Sequence, residues 1–236
     1  KKHFYMKKNQ FQNFAFNDKL PDIQSLSAME VIDLTGSTIN EICIENFSHL
    51  QRFRACQCQN LVKCKISNCQ NLKVIDLSNC TELSEIEFSQ LHNLLSVDLS
   101  MTNLTQLKDA SLPTLESLVI SFTPISTLNC SNFPNLLNLD ISGTKITNIS
   151  FILQLKQLRR FRHMSISSEL SFTNPIKINF DEIFSHPTLN SFIAGPGNAI
   201  CDSLPSSRTS LQLVVLEDVD FIKGDQSDIQ RNVKYF

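Results

Sequence analysis

One apolar frame recurs along this chain at a nearly constant interval, and it constrains the fold more than any other feature. In its clearest copy Leu72, Ile75 and Leu77 are followed by Cys80, which gives the spacing L-x-x-L-x-L-x-x-C. The third apolar residues of four consecutive copies lie 22, 21 and 21 residues apart. They are Leu77, Leu99, Ile120 and Ile141. A fixed period of this length indicates a stack of short coils, in which each coil buries its apolar side against its neighbours.

The alternation inside this frame predicts the local structure of each coil. At the L-x-L step an apolar residue alternates with mostly polar ones, as in a strand that buries one face. We therefore expect one short strand in each coil and parallel stacking of these strands from coil to coil. The buried centres of five such strands are Ile32, Ile75, Val97, Leu118 and Leu139.

A second apolar frame repeats halfway between copies of the first. Residues 61–66 read L-V-K-C-K-I and residues 83–88 read L-S-E-I-E-F, so both show the same spacing. This half-period predicts short strands on the opposite wall of the coils in this region, instead of a long helix.

Each frame closes on a small residue. A polar side chain pointing inward there can bond the backbone of the turn, which would otherwise be buried without a partner. We expect this structural role for Ser37, Cys58, Cys80, Thr102, Thr123 and Thr144.

These residues resemble the leucine-rich repeat, whose frame is L-x-x-L-x-L-x-x-N/C-x-L. The short coils are similar to the BspA-like, internalin-like and phosphatase-regulator-like types. The resemblance implies an α/β-type solenoid, a right-handed horseshoe with a parallel β-sheet on its concave face. Its convex face would carry short strands, 3-10 turns or irregular segments.

The frame extends over most of the chain, so we expect a single leucine-rich-repeat domain over residues 1–236. At one strand per coil, about nine coils would stack to roughly 40 Å. Residues 165–187 are longer than a plain coil holds and are predicted to form an irregular insertion within the stack. Residues 222–236 are predicted to be a C-terminal cap or tail.

Composition excludes several function classes. The 21 basic and 23 acidic residues leave a net charge of -2, whereas nucleic-acid binding needs a basic excess. No apolar run approaches the roughly 18 to 20 residues that span a bilayer. Glycine-rich phosphate loops are absent from the sequence, and the five His are scattered without a catalytic or metal-binding motif. The sequence therefore predicts a non-enzymatic protein without cofactor or metal.

Eight Cys leave three interpretations open, and four of them crowd into residues 56–69. Buried free thiols are favoured, because the frame spreads Cys56, Cys58, Cys64 and Cys69 around the coil. A Cys58–Cys80 disulfide is the second interpretation, since these residues lie one coil apart. A zinc site is the third. Free thiols favour a cytoplasmic location, while a cell-surface or secreted one stays open because the chain does not begin with Met.

The candidate binding residues lie on and just after the strands of the concave face. A repeated [IVL]-D-[LI]-[ST] motif predicts a row of exposed aspartates, with basic strands on either side. Inheritance with the duplicated repeat is the alternative explanation for the aspartates, and half-burial at the rim is the alternative for Met101 and Phe122. The candidates are Arg52, Arg54, Asp76, Asp98, Met101, Phe122, Asp140, Arg160 and Arg162.

The resemblance implies a monomeric protein-protein interaction module that binds a macromolecular partner through its concave sheet. One alternative is a structural or scaffolding component of a larger assembly. Another is the substrate-recognition part of an F-box-type ubiquitin ligase adaptor, because repeats such as L-S-N-C-T-E-L resemble those of F-box receptors. That adaptor would need an F-box segment outside these residues.

Overall fold

The computed structural model describes residues 3–5, 27–107, 111–164, 176–195, 197–200, 210–216 and 219–223. They form a β-solenoid of short parallel strands with one short α-helix, α1 (Phe180–Ser185). The strands are β1 (His3–Tyr5), β2 (Val31–Asp33), β3 (Glu41–Glu45), β4 (Arg52–Arg54), β5 (Lys63–Ser67), β6 (Val74–Asp76), β7 (Glu85–Ser89), β8 (Ser96–Asp98), β9 (Ser117–Val119), β10 (Asn138–Asp140), β11 (Arg160–Met164), β12 (Ile176–Asn179), β13 (Ser191–Gly195), β14 (Gly197–Ile200), β15 (Leu213–Leu216) and β16 (Val219–Lys223).

Ten of these strands form the main sheet, in the order β1-β2-β4-β6-β8-β9-β10-β11-β13-β15. All its described pairings are parallel, and each coil adds one strand. The predicted strand centres are confirmed, because each is the middle residue of its strand and exposes at most 2% of its surface. They are Ile32 in β2, Ile75 in β6, Val97 in β8, Leu118 in β9 and Leu139 in β10.

The turn that follows each strand is held as the closing residues of the frame predict. The hydroxyl of Thr102 donates to the carbonyl of Leu99 at 2.8 Å, and Thr123 and Thr144 repeat this bond one and two coils later. In the earlier coils a thiol occupies the closing position. Cys80 Sγ donates to the carbonyl of Ala55 in the preceding coil at 3.0 Å. The buried turns are therefore satisfied by the coil stack itself.

A second sheet of three strands, which we call the back sheet, has the order β3-β5-β7. The half-period frame predicted β5 and β7, and both are confirmed. The frame did not predict β3, although the alternation of Ile42 and Ile44 with exposed residues was visible in E-I-C-I-E. These isoleucines share one core with the inward residues of the main sheet, such as Ile32 and Phe53.

The last coils are built differently, because their back walls form a third sheet with the order β12-β14-β16. In the span expected to be irregular, residues 176–187 contain β12 and α1, while residues 165–175 lie outside the described part. Residues 222–223 of the expected tail belong to β16, and residues 224–236 lie outside the described part as well. Among the described helices, none has the length and apolar character needed to cross a bilayer.

Candidate functional site

Alternate residues of the main-sheet strands point away from the core and form two parallel rows, which together we call the outer face. Strand register aligns them from coil to coil. The first row runs Val31, Arg52, Val74, Ser96, Ser117, Asn138, Arg160, Ser191 and Leu213. The second row runs Asp33, Arg54, Asp76, Asp98, Val119, Asp140, Arg162, Ile193 and Val215.

In the N-terminal half of the second row the charges neutralise one another. Arg54 lies between two carboxylates: its Nε donates to Asp76 Oδ2 at 3.3 Å, and its Nη1 lies 3.8 Å from Asp33 Oδ2. Partial burial alone would lower the pKa of Arg54, but these two carboxylates raise it overall. Arg54 thus lies within the acidic row rather than in a separate basic block, while Arg52 is exposed in the first row. Asp98 is the register neighbour of Asp76, as expected.

Each aspartate of the second row also holds the turn after its own strand. Asp98 is typical, because its Oδ1 accepts the backbone N–H of Ser100 at 2.9 Å and the Ser100 hydroxyl at 2.6 Å. Asp33, Asp76 and Asp140 accept the backbone N–H two residues later in the same way. In Asp98 and Asp140 this leaves Oδ2 for a partner, whereas Oδ2 of Asp33 and of Asp76 already faces Arg54. The sequence interpretation missed this role, although aspartate two residues before Ser or Thr is a signal for such a turn.

Met101 and Phe122 lie in these turns, and both are half-buried. Their φ angles of 56° and 57° are in the left-handed region, which bulky side chains rarely adopt. The Phe122 ring covers Gly143 of the next coil, where an added Cβ would lie 2.6 Å from the ring Cδ1. Phe122 therefore packs against the coil stack at the rim of the outer face.

The C-terminal half of the outer face has a shallow depression of about 190 Å³ across β9, β10, β11 and β13. Val119 and Ile193 lie among its lining residues, together with small side chains such as Ser117. Arg160 and Arg162 border it and are exposed. The depression thus offers apolar surface beside two guanidinium groups.

The two arginines differ in their local partners. Arg160 Nε donates to Asn138 Oδ1 on the preceding strand, which leaves the other guanidinium nitrogens to face outward. Arg162 is in register with Asp140, yet no ion pair joins these two side chains. The structure therefore brings Asp140, Arg160 and Arg162 together at one depression. It places the other candidates outside its lining.

Two buried histidines lie in the coils that carry this half. His163 is fully buried at the inward position next to Ala194, and neither ring nitrogen has a hydrogen-bond partner within the described residues. Burial lowers its pKa, so the ring is neutral at neutral pH. His186 is also buried and its pKa is lowered by burial. Its Nδ1 accepts the backbone N–H of Leu189 at 3.1 Å, which ties the chain after α1 to the next strand.

The described cysteines do not converge on one site. Seven of the chain's cysteines lie in the described part, each as a free thiol, while Cys201 lies outside it. Among the described residues, no group of three or more His, Cys, Asp or Glu could hold a metal ion. Cys58 and Cys80 are adjacent, and the contact between their side chains lowers the pKa of Cys58. The same contact raises the pKa of Cys80. Both are buried, which limits access to reagents.

The fold is similar to solved structures of repeat proteins. Human trophoblast glycoprotein (5T4, Wnt-activated inhibitory factor 1) superposes with a TM-score of 0.51 at 14% identity, covering 78% of this chain and 74% of that chain. The chain has the leucine-rich-repeat fold. Internalin C2 of Listeria monocytogenes matches with a TM-score of 0.48 at 16% identity, covering 82% of this chain and 83% of that chain. A leucine-rich-repeat protein of Leptospira interrogans matches with a TM-score of 0.44 at 16% identity, covering 90% and 73%. No protein-family model and no curated protein matches the sequence of this chain.

Proposed function

We propose that this leucine-rich-repeat solenoid binds a protein partner, as a monomeric domain, through the outer face of its main sheet. The observation that carries the proposal is the depression in the C-terminal half, where apolar surface lies beside two exposed arginines. Binding centres of protein interfaces combine a desolvated apolar pocket with Arg or aromatic anchors. Val119 and Ile193 supply the apolar surface, and Arg160 and Arg162 supply the anchors.

The charge distribution favours this half over the N-terminal half. Arg54 already bonds Asp76 and faces Asp33, so a partner would gain little from displacing these contacts. Arg162 has no ion pair with its register neighbour Asp140 and keeps its full donor set for a ligand. A partner segment that presents one apolar side chain between two carboxylates fits the depression best.

A pull-down with two acidic variants tests the proposal, one that lowers the net charge by 4 at the depression and one that lowers it by 3 elsewhere. Arg160→Glu with Arg162→Glu should reduce partner recovery at least tenfold, because both guanidinium groups reverse sign at the depression. Gln154→Glu with Lys156→Glu places new acidic groups on an exposed 3-10 segment and turn (Ser150–Gln154 and Lys156) and should leave recovery unchanged. Circular dichroism checks that both variants fold.

Full recovery with the arginine variant would contradict binding at this depression. An equal loss of partner recovery with both variants would show that binding depends on net charge or on the side of the coils opposite the outer face. Either result would favour a structural spacer in a larger assembly.

A further inference from the structure

The back sheet ends at β7, a five-residue strand whose second edge pairs with no described strand. On its first edge, the Glu85 N–H donates to the Val62 carbonyl at 3.2 Å, and the Ser89 carbonyl accepts the Asn68 N–H at 3.1 Å. Backbone groups alternate in direction along a parallel strand, so those of Ile86 point to the open edge. The same holds for Phe88. Among the described residues, β7 therefore presents peptide groups without a backbone partner along one side.

The described residues of the next coil start beside this edge, where the Asn103 N–H donates to the Leu83 carbonyl at 2.9 Å, and form no strand along it. Between them lies a groove of about 610 Å³, which is lined by β7 on one side and by Thr105 and Gln106 on the other. A groove of this kind has room for an extended chain beside the strand.

The core is less well covered at β7 than at the other two strands of the back sheet. Ile86 is only half-buried and Phe88 is 5% exposed. The equivalent inward residues of β3 and β5 expose at most 1%. These are Ile42, Ile44, Cys64 and Ile66. Apolar side chains from an added strand would complete the cover over Ile86.

One outward row of the back sheet alternates in charge from strand to strand, and the next row ends with Lys65 and Glu87. In register, Glu41 is followed by Lys63 and then Glu85. Lys63 Nζ lies 3.1 Å from Glu85 Oε2, and Lys65 Nζ lies 3.8 Å from Glu87 Oε1. The Glu85 and Glu87 side chains remain 63% and 58% exposed. An added strand would continue the alternation with basic residues opposite Glu85 and Glu87.

We infer that β7 binds an extended peptide of a partner protein as a fourth strand of the back sheet, with Lys or Arg outward and apolar residues inward. The peptide would bond the free backbone groups of Ile86 and Phe88, as strand addition does at exposed sheet edges. A second copy of this chain fits poorly, because pairing two β7 edges brings Glu85 and Glu87 of each copy together. This site is separate from the outer face.

Synthetic peptides of seven residues test the inference on the full chain. In one peptide Lys alternates with Val, in the second Glu alternates with Val, and the third is a basic peptide with Pro at its centre. Fluorescence anisotropy should show the Lys peptide binding at least tenfold more tightly than either control. Glu85→Lys with Glu87→Lys should reverse the preference toward the Glu peptide.

Amide hydrogen exchange separates strand addition from plain charge attraction. The Lys peptide should slow exchange at Ile86 and Phe88 at least tenfold and leave the outer-face strands unchanged. Binding without this protection, or no binding, would overturn the inference. So would protection of both amides in the free protein, which would show that another part of the chain or a second copy occupies the edge. Sedimentation velocity distinguishes the second copy.

Discussion

The two halves of the outer face share one repeat and one strand register, yet they differ in whether neighbouring charged side chains form ion pairs. In the N-terminal half, Arg54 lies between Asp33 and Asp76 and is within 4 Å of both carboxylates. In the C-terminal half, Asp140 and Arg162 occupy equivalent neighbouring positions and form no ion pair. Identical backbone spacing therefore does not make the two halves equivalent as binding surfaces.

The difference follows from what surrounds each charge. The second row places four charged residues in succession in the N-terminal half, and two of its three carboxylates, those of Asp33 and Asp76, face the Arg54 guanidinium. Farther along, Val119 and Ile193 interrupt the row and leave an apolar depression. Charged side chains that pair with one another along the sheet offer little to a partner. Charged side chains without an ion pair, beside apolar surface, favour a binding site.

The largest expected effect is at the boundary between the halves. Leu99 follows β8 and exposes 1% of its surface. Leu99→Asp buries an unpaired carboxylate, which should cost several kcal/mol of unfolding free energy. Because coils are stable only against their neighbours, hydrogen exchange should speed up in both halves together. Denaturant unfolding and exchange measure the two effects.

Ser96→Asp is the control for Leu99→Asp, because it adds the same carboxylate to the same coil, in β8, but on the outer face. It should shift the unfolding midpoint only slightly. Loss of protection in one half alone would show that the halves unfold independently. An unchanged midpoint for Leu99→Asp would contradict the register.

The next largest effect concerns the packing between Phe122 and Gly143. Gly143 has φ +67°, and a Cβ there would lie 2.6 Å from the Phe122 ring. Gly143→Ala should therefore cost about 1–3 kcal/mol through overpacking and backbone strain. In a Phe122→Asn background the cost should fall to the strain alone, since Asn79 adopts this conformation in the N-terminal half. Equal costs in both backgrounds, measured by urea unfolding, would exclude a role for the ring.

Acid should weaken the C-terminal half more than the N-terminal half. Burial lowers the folded-state pKa of His163 below the unfolded value of about 6.5, so the unfolded chain binds more protons as the pH falls. Stability is therefore full above about pH 7 and is lost below it, by at most about 1.4 kcal/mol per pH unit for one group. His186 acts in the same direction.

The comparison variant for this effect is His163→Ile, because Ile141 occupies the equivalent position one coil earlier. The variant should be less sensitive to a change from pH 7 to pH 5, measured by urea unfolding at both values. Exchange should locate the acid-sensitive coils next to β11. A pH dependence identical to that of the parent protein would show that His163 keeps its proton affinity on folding.

The sequence predicted the strands because their periodicity is local. Ile75 and Val97 could be identified as strand centres from spacing alone, and the half-period predicted β5 and β7. The third sheet was not predicted, although β12, β14 and β16 begin 21 and 22 residues apart, close to the interval of the clear repeats. The apolar frame is interrupted before them, because the register partners on β11 and β13 lie 31 residues apart.

The sequence allowed the outer-face residues to be identified, but it predicted less well which side chains contact one another. Register follows from the repeat, so the position of Arg54 between Asp33 and Asp76 could have been deduced by aligning the coils. The depression could not, because it depends on how Val119, Ile193 and the small serines leave space between strands. The groove at β7 depends on the space left between β7 and residues Thr105 and Gln106, for which the sequence offers no clear signal.

The smallest expected effects test most directly whether the charges of the two halves of the outer face interact differently. Two double-mutant cycles use matched register pairs, Arg54→Met with Asp76→Asn and Arg162→Met with Asp140→Asn. Asn keeps the Oδ1 acceptor of each turn, so the cycles report the ion pairs alone. The first cycle should give a coupling of about 0.2–1 kcal/mol, because both partners are partly exposed and screened by solvent. The second should give a coupling near zero. Both couplings are measured by urea unfolding in low salt. Equal coupling energies would mean that Arg162 is paired with Asp140 as strongly as Arg54 is with Asp76, and that Arg162 is no more available to a partner.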